Sequence, residues 1–156
     1  MFFDAKDLWA VEGDIPDTIE PIPFGKARVM REGDDLTIVT WSALTPKVAE
    51  AMETLAAEGI KADVLDLRTI WPWDVEAVTA SVRKTGRLLV AHEAVEVGGF
   101  GGEVVATVVD RLGPQNIVAA KRIGAPRIPI PFSPPLEDEI RVTPEKIVAA
   151  AKSALA

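Results

Sequence analysis

The chain has 156 residues with 48% apolar and 26% charged side chains, which suits one folded domain with an ordinary core. Its net charge is −7 and it contains no cysteine, so disulfides, thiolate nucleophiles and thiolate metal sites are excluded, and a concentrated phosphate-binding surface is not expected. No run approaches the roughly 18 apolar residues of a membrane helix. The start, MFFDAKDLW, lacks the basic lead of a signal peptide. These features together suit a cytoplasmic protein with neither nucleic acid nor membrane as partner.

Residues 1–25 carry six acidic residues against one basic, a net of −5, and include Pro16, Pro21 and Pro23. They have no sustained period and are expected to form an acidic linker from a missing upstream domain, with the folded domain covering 26–156. Phe2, Phe3, Leu8 and Trp9 form an apolar cluster unusual for a free tail.

From Lys26 strand and helix signals alternate. Ala27–Arg31 is a short strand candidate, and Leu36–Trp41 is a β-branched, apolar run expected to be a buried strand. Thr45 and Pro46 predict a helix start, with Val48, Met52, Leu55 and Ala56 on one face and Gly59 as its stop. Ala62–Leu67 is the next strand. Asp74 is placed to cap a helix whose inner face is Val75, Val78 and Val82, with Arg83 and Lys84 in its last turn and Gly86 as its stop.

Arg87–Ala91 is a third buried strand. After it, Gly98-Gly99-Phe100-Gly101-Gly102 opens a helix whose core face is Val104, Val105, Val108, Val109 and Leu112. Ile117–Ile123 is another strand. The five prolines between Gly124 and Val142 predict a helix-free loop. Thr143 and Pro144 start a final helix with Ile147, Val148, Ala151 and Leu155 inward. The alternation implies an α/β fold: three α/β/α layers around a mostly parallel sheet of about five strands, with right-handed crossovers.

Four segments are candidates for function. His92, the sole histidine, and Glu93 lie at the carboxyl end of a strand, the edge where open α/β sheets place their sites. Adjacent residues of an extended chain point oppositely, so the two do not form an acid–base pair unless the chain turns, and hydrogen bonding at a loop or interface is the plainer role. The glycines 98, 99, 101 and 102 follow a strand and open a helix, as a phosphate cradle does. They match neither G-x-G-x-x-G nor a P-loop, and Glu103 would repel an anion, so close backbone packing is favoured. Trp71 and Trp73 flank Pro72, where they either anchor a partner or staple the following helix. The Pro-rich loop with Pro129, Pro131, Pro134 and Pro135 reads as a rigid connector more readily than as a docking surface. One histidine and no cysteine leave no metal site to propose.

The ordered set IPFGKARVMREGDDLTIVTW, DVLDLRTIWPWD, SVRKTGRLLVAHEA, GGFGGEV and RIGAPRIPIPFSPPLED, after MFFDAKDLW, resembles the C-terminal, transketolase-type domain of 2-oxo acid dehydrogenase E1 beta subunits. The resemblance covers essentially the whole chain, with the pyruvate, branched-chain and acetoin types all represented. It implies a transketolase C-terminal-like fold and a complete enzyme of two alpha and two beta chains. That enzyme would use thiamine diphosphate and a divalent metal to decarboxylate a 2-oxo acid and acylate the lipoyl group of an E2 acyltransferase.

The family's cofactor-activating glutamate belongs to an upstream domain, and its Gly-Asp-Gly metal signature belongs to alpha. No catalytic, cofactor-binding or metal residue is therefore carried onto this chain, and Gly33-Asp34-Asp35 is not that signature. The implied role is assembly, with the E1 alpha subunit, a second beta subunit and E2 as partners and His92, Glu93, Trp71, Trp73, Gly98, Gly99, Phe100 and Gly101 as candidate interface residues. A homodimer is the default for the isolated domain. A stand-alone α/β ligand-binding module and a freestanding protein-interaction domain are the alternatives.

Overall fold

A computed structural model describes residues 3–14, 17–18 and 20–156. Phe2 and Pro16, named above, lie outside the described residues. Five strands, β1 (Arg28–Arg31), β2 (Leu36–Thr40), β3 (Ala62–Asp66), β4 (Arg87–Val95) and β5 (Ala119–Ala125), form one sheet in the order β1-β3-β2-β4-β5. β1 pairs antiparallel with β3, and every other pairing is parallel.

Helices α1 (Leu44–Ala57) and α5 (Pro144–Leu155) cover one face, and α2 (Val75–Thr85) and α3 (Gly101–Leu112) cover the other. A short α4 (Pro134–Ile140) lies between β5 and α5. The three-layer expectation therefore holds, with an antiparallel edge strand added. Because side chains alternate along a strand, β2 and β4 feed both cores: Ile38, Leu89 and Ala91 join the α1/α5 cluster, while Val39, Leu88 and Val90 join the α2/α3 cluster. This is why neither strand shows a strict alternation of apolar and polar residues.

Several boundaries differ from expectation for local reasons. α1 begins at Leu44, with Pro46 inside its first turn instead of at its first position. Ser42 takes a left-handed φ of 56° and its carbonyl accepts from Thr45 N at 3.0 Å, so the chain turns one residue early. β5 starts at Ala119, because a 3-10 turn at Pro114–Asn116 delays entry to the sheet until Val118 N donates to Gly86 O at 2.7 Å.

The expectation of no helix in the Pro-rich loop is wrong. Pro134 and Pro135 occupy the first turn of α4, where a missing N–H leaves no bond unmade. The other end of α4 is capped by Lys146 Nζ, which donates to the carbonyls of Glu139 (2.6 Å) and Arg141 (2.7 Å).

Asp74 caps α2 as its sequence position predicts. One carboxylate oxygen accepts from Ala77 N at 3.1 Å and the other from Ala27 N at 3.1 Å, tying the entry to β1 onto the helix. Asp74→Ala removes both acceptors and should lower stability by about 1–2 kcal/mol, read as a lower urea midpoint at unchanged slope. Gly33 permits the β1–β2 turn to press on the α1–β3 loop: a Cβ there would lie 2.5 Å from the carbonyl carbons of Lys61 and Ala62.

Candidate functional site

The chain direction across the sheet reverses between β2 and β4. β2 leads through α1 to β3 on one side, and β4 leads through α3 to β5 on the other. The crevice outside the carboxyl ends of these two strands is the topological switch point, where open α/β sheets bind ligands. Here the crevice is filled by the protein itself. The chain runs from Thr40 into Trp41 at the end of β2, and β4 carries His92 beyond Ala91. The two rings stack at 5.5 Å between centroids with planes 12° apart.

Phe100 closes the cluster. It meets Trp41 edge-on at 5.8 Å and Trp73 edge-on at 6.3 Å, geometries that place a positive ring edge on a negative face. Trp73 belongs to the α2/α3 core. The structure thus divides the Trp-Pro-Trp segment. Trp73 staples α2 to the domain, while Trp71 is 84% exposed.

His92 has no solvent exposure. Glu93 points the opposite way and is exposed, so the two form no acid–base pair. The imidazole sits in a cradle of glycines. A Cβ on Gly99 would lie 2.6 Å from its Cε1, one on Gly101 2.5 Å from its Cδ2 and Nε2, and one on Gly124 3.0 Å from its Cε1. This explains the Gly-rich turn: the glycines allow the turn and β5 to touch a buried ring. Gly98 takes a positive φ of 87°, which glycine adopts without penalty, and is exposed.

Neither imidazole nitrogen has a hydrogen-bond partner among the described residues. Burial holds the His92 pKa below the ordinary histidine value, and the charge of Arg122 adds to this; the Ala94 backbone and the Glu96 carboxylate pull the other way. Arg122 Nη1 donates to Glu96 O at 3.1 Å, tying β5 to the tail of β4. Nearby at the carboxyl end of β3, burial raises the Asp66 pKa, opposed by the Arg68 amide and by the charges of Arg68 and Arg28.

The structure therefore brings His92, Gly99, Gly101, Phe100 and Trp73 into one cluster and leaves Glu93, Gly98 and Trp71 outside it. Trp41 and Gly124 complete the cluster and were not singled out from the sequence. The available signal for Trp41 was an aromatic residue just past the carboxyl end of a buried strand.

A diphosphate and its metal do not fit this edge. The Gly-rich turn is occupied by the His92 ring, the first turn of α3 carries Glu103, and no group of three or more acidic or histidine residues among those described could hold a cation. The open concavities lie elsewhere. One of about 410 Å³ is lined by residues that include Val97, Arg127, Ile140 and Lys146, and one of about 320 Å³ lies between α1 and α5. Among the described residues no helix is long and apolar enough to cross a membrane.

The sequence pattern of the family described as "Transketolase, C-terminal domain" matches residues 25–147. The chain belongs to the transketolase C-terminal domain family. Its relatives place this transketolase C-terminal domain further. It is 37% identical, over 99% of its length, to the beta subunit of acetoin:2,6-dichlorophenolindophenol oxidoreductase from Cupriavidus necator, of which it covers 46%. It is 36% identical, over 96% of its length, to the 2-oxoisovalerate dehydrogenase subunit beta of Bacillus subtilis, again covering 46%. Among solved structures, a split-gene transketolase described as an inactive beta4 tetramer matches 90% of the domain with a TM-score of 0.76 at 33% identity; the domain covers 46% of that chain. The chain thus spans about half the length of the curated relatives it matches.

Proposed function

We propose that this transketolase C-terminal domain is the assembly domain of the beta subunit of a thiamine-diphosphate-dependent 2-oxo acid dehydrogenase. The complete enzyme would decarboxylate a 2-oxo acid and pass the acyl group to the lipoyl arm of an E2 acyltransferase. The observation that carries this reading is collinear similarity to dehydrogenase beta subunits over nearly the whole chain. The closed switch point agrees with it, because a domain whose ligand crevice is packed with its own aromatic rings is suited to support and contact. Cofactor chemistry then belongs to an alpha subunit and to the other half of beta, and residues 1–25 act as the linker to that half.

The contact role falls on the exposed apolar residues. Phe24 and Trp71 are 79% and 84% exposed, and Gly25 brings their segments together, since a Cβ there would lie 3.3 Å from Pro72 Cγ. Ile128, Ile130 and Phe132 project from the Pro-rich segment. Large exposed aromatics of this kind mark protein interfaces. Trp71→Ala should change folding stability by less than about 0.5 kcal/mol while weakening association with the partner subunits, compared by urea unfolding and by native mass spectrometry of the mixed subunits.

The direct test supplies the purified chain with thiamine diphosphate, magnesium and a panel of 2-oxo acids, and measures carbon dioxide release. No turnover is expected until an alpha subunit and the remaining half of beta are added. Turnover by the chain alone would refute the reading.

A further inference from the structure

We propose that His92 is a latch that works only when uncharged: its neutral imidazole holds the 98–102 turn and the end of β5 against the carboxyl end of β2, and a proton on the ring releases them. This goes beyond the assembly reading and holds for the domain whichever enzyme contains it.

The geometry carries the argument. Three chain segments meet at one ring. Gly99 and Gly101 approach it from the turn and α3 more closely than a side chain would permit, and Gly124 lies against it from β5, where a Cβ would also meet Ala94 O at 2.5 Å. Trp41 covers its face from β2. The ring is fully buried and both nitrogens lack partners among the described residues. A neutral imidazole tolerates such a site at modest cost, because it leaves one weak donor and one acceptor unmade. An imidazolium there has two charged donors, and the one backbone group that favours it, at Ala94, makes no formed hydrogen bond with either nitrogen.

The surrounding charges do not repair this. Gly101 opens α3, so the positive end of that helix faces the ring. β5 presents Arg122, whose guanidinium donates to Glu96 O. On the tail of β4, Glu93 is exposed on the opposite side and Glu96 is the one carboxylate whose charge favours protonation of His92. Glu103 on α3 is exposed, and the corner from Trp41 to Leu44 carries no charge. Water or an acceptor reaches a charged ring only if the glycine turn lifts.

The sign follows from which state binds the proton. The opened state takes it up at the ordinary histidine value of about 6.5, and the closed state only at lower pH, so closure is unaffected above that value and weakens below it. The opened fraction should rise by up to about tenfold per pH unit below about pH 6.5 until the closed form itself protonates. The end of β5 leads directly into the segment carrying Ile128, Ile130 and Phe132, so acid would disturb the edge that displays these apolar residues.

His92 is the sole histidine, so imidazole nitrogen NMR on the whole chain reports its charge and tautomer without ambiguity. The same samples give amide hydrogen-exchange protection factors for 98–102 and 122–125 between pH 7.5 and 5. The expected result is a neutral ring of a single tautomer at pH 7, with protection of both segments starting to fall below about pH 6.5 and levelling off where the ring itself protonates. His92→Gln, which cannot titrate in this range, should show flat protection relative to the rest of the domain. A ring that titrates near 6.5 while protection stays constant would overturn the latch. Parallel loss of protection in wild type and His92→Gln would do the same, by placing the acid response on carboxylates. Should His92→Gln fail to fold, the wild-type comparison still decides, because protection that stays flat while the ring protonates, or that keeps falling once it is fully protonated, contradicts the proposal.

Discussion

Replacing Gly101 with alanine is expected to lower the free energy of unfolding by about 2 kcal/mol, within the range for overpacking a tight core. The substituted methyl would sit 2.5 Å from His92 Cδ2 and Nε2 and 3.3 Å from Val90 Cγ1. The ring has nowhere to go, since Gly99 and Gly124 close its far edge and Trp41 lies across its face. Alanine's better helix propensity, about 1 kcal/mol over glycine, offsets part of the strain at this first helical position. A double-mutant cycle isolates the contact. In a His92→Ala background the methyl meets no ring, so the penalty should vanish and the coupling energy should exceed about 1 kcal/mol. Equal penalties in both backgrounds, measured by urea unfolding, would show that the cradle does not constrain the turn.

Asp63→Ala is expected to cost about 2–3 kcal/mol, because it breaks a buried hydroxyl chain at its charged end. Asp63 accepts from Ser81 Oγ at 2.6 Å and from Lys84 Nζ at 2.9 Å. Ser81 Oγ lies 2.7 Å from Thr37 Oγ1, Thr37 Oγ1 lies 2.8 Å from Thr85 Oγ1, and Thr85 Oγ1 donates to Arg87 O at 3.0 Å. The chain stitches β2 and β3 to α2. Without the carboxylate, the Ser81 hydroxyl is buried with one acceptor fewer.

The ion pair contributes less than the hydroxyl bond. The hydrogen bond to Asp63 raises the Lys84 pKa, but the Lys84 side chain is 42% exposed, so solvent screens it. Asp63→Asn keeps an acceptor oxygen and should cost about half as much. A loss as large as that of Asp63→Ala would mean that the charge, not the hydroxyl chain, supplies the stability.

The sheet and its covering helices were legible in the sequence because β2, β3 and the first half of β4 are short, largely apolar runs and α1, α2 and α3 each end at or next to a glycine. Gly86 takes the left-handed φ of 69° that its position after Lys84 and Thr85 predicts. What was not legible depended on tertiary contact. α4 was hidden because prolines break helices everywhere except in the first turn, and its far end is held by Lys146 from outside the segment. The extension of β4 to Val95 follows from a register irregularity against β5 after Ala91, which no local pattern announces.

At the candidate site, the sequence supplied the right residues without their arrangement. His92 stood out by being the sole histidine, and the glycines by their density. That Gly99 and Gly101 leave room for the histidine ring appears only when β4 and α3 are placed side by side. Trp71 and Trp73 are equivalent as letters and opposite in the fold, since one packs on Phe100 while the other faces solvent.

The role proposed for this transketolase C-terminal domain is assembly of a dehydrogenase. Its most direct test is affinity capture of the tagged chain from its native cells, with quantitative mass spectrometry of what is retained. An E1 alpha subunit is expected in near one-to-one amount, accompanied by E2. Recovery of the chain in folded form without an alpha subunit would contradict it.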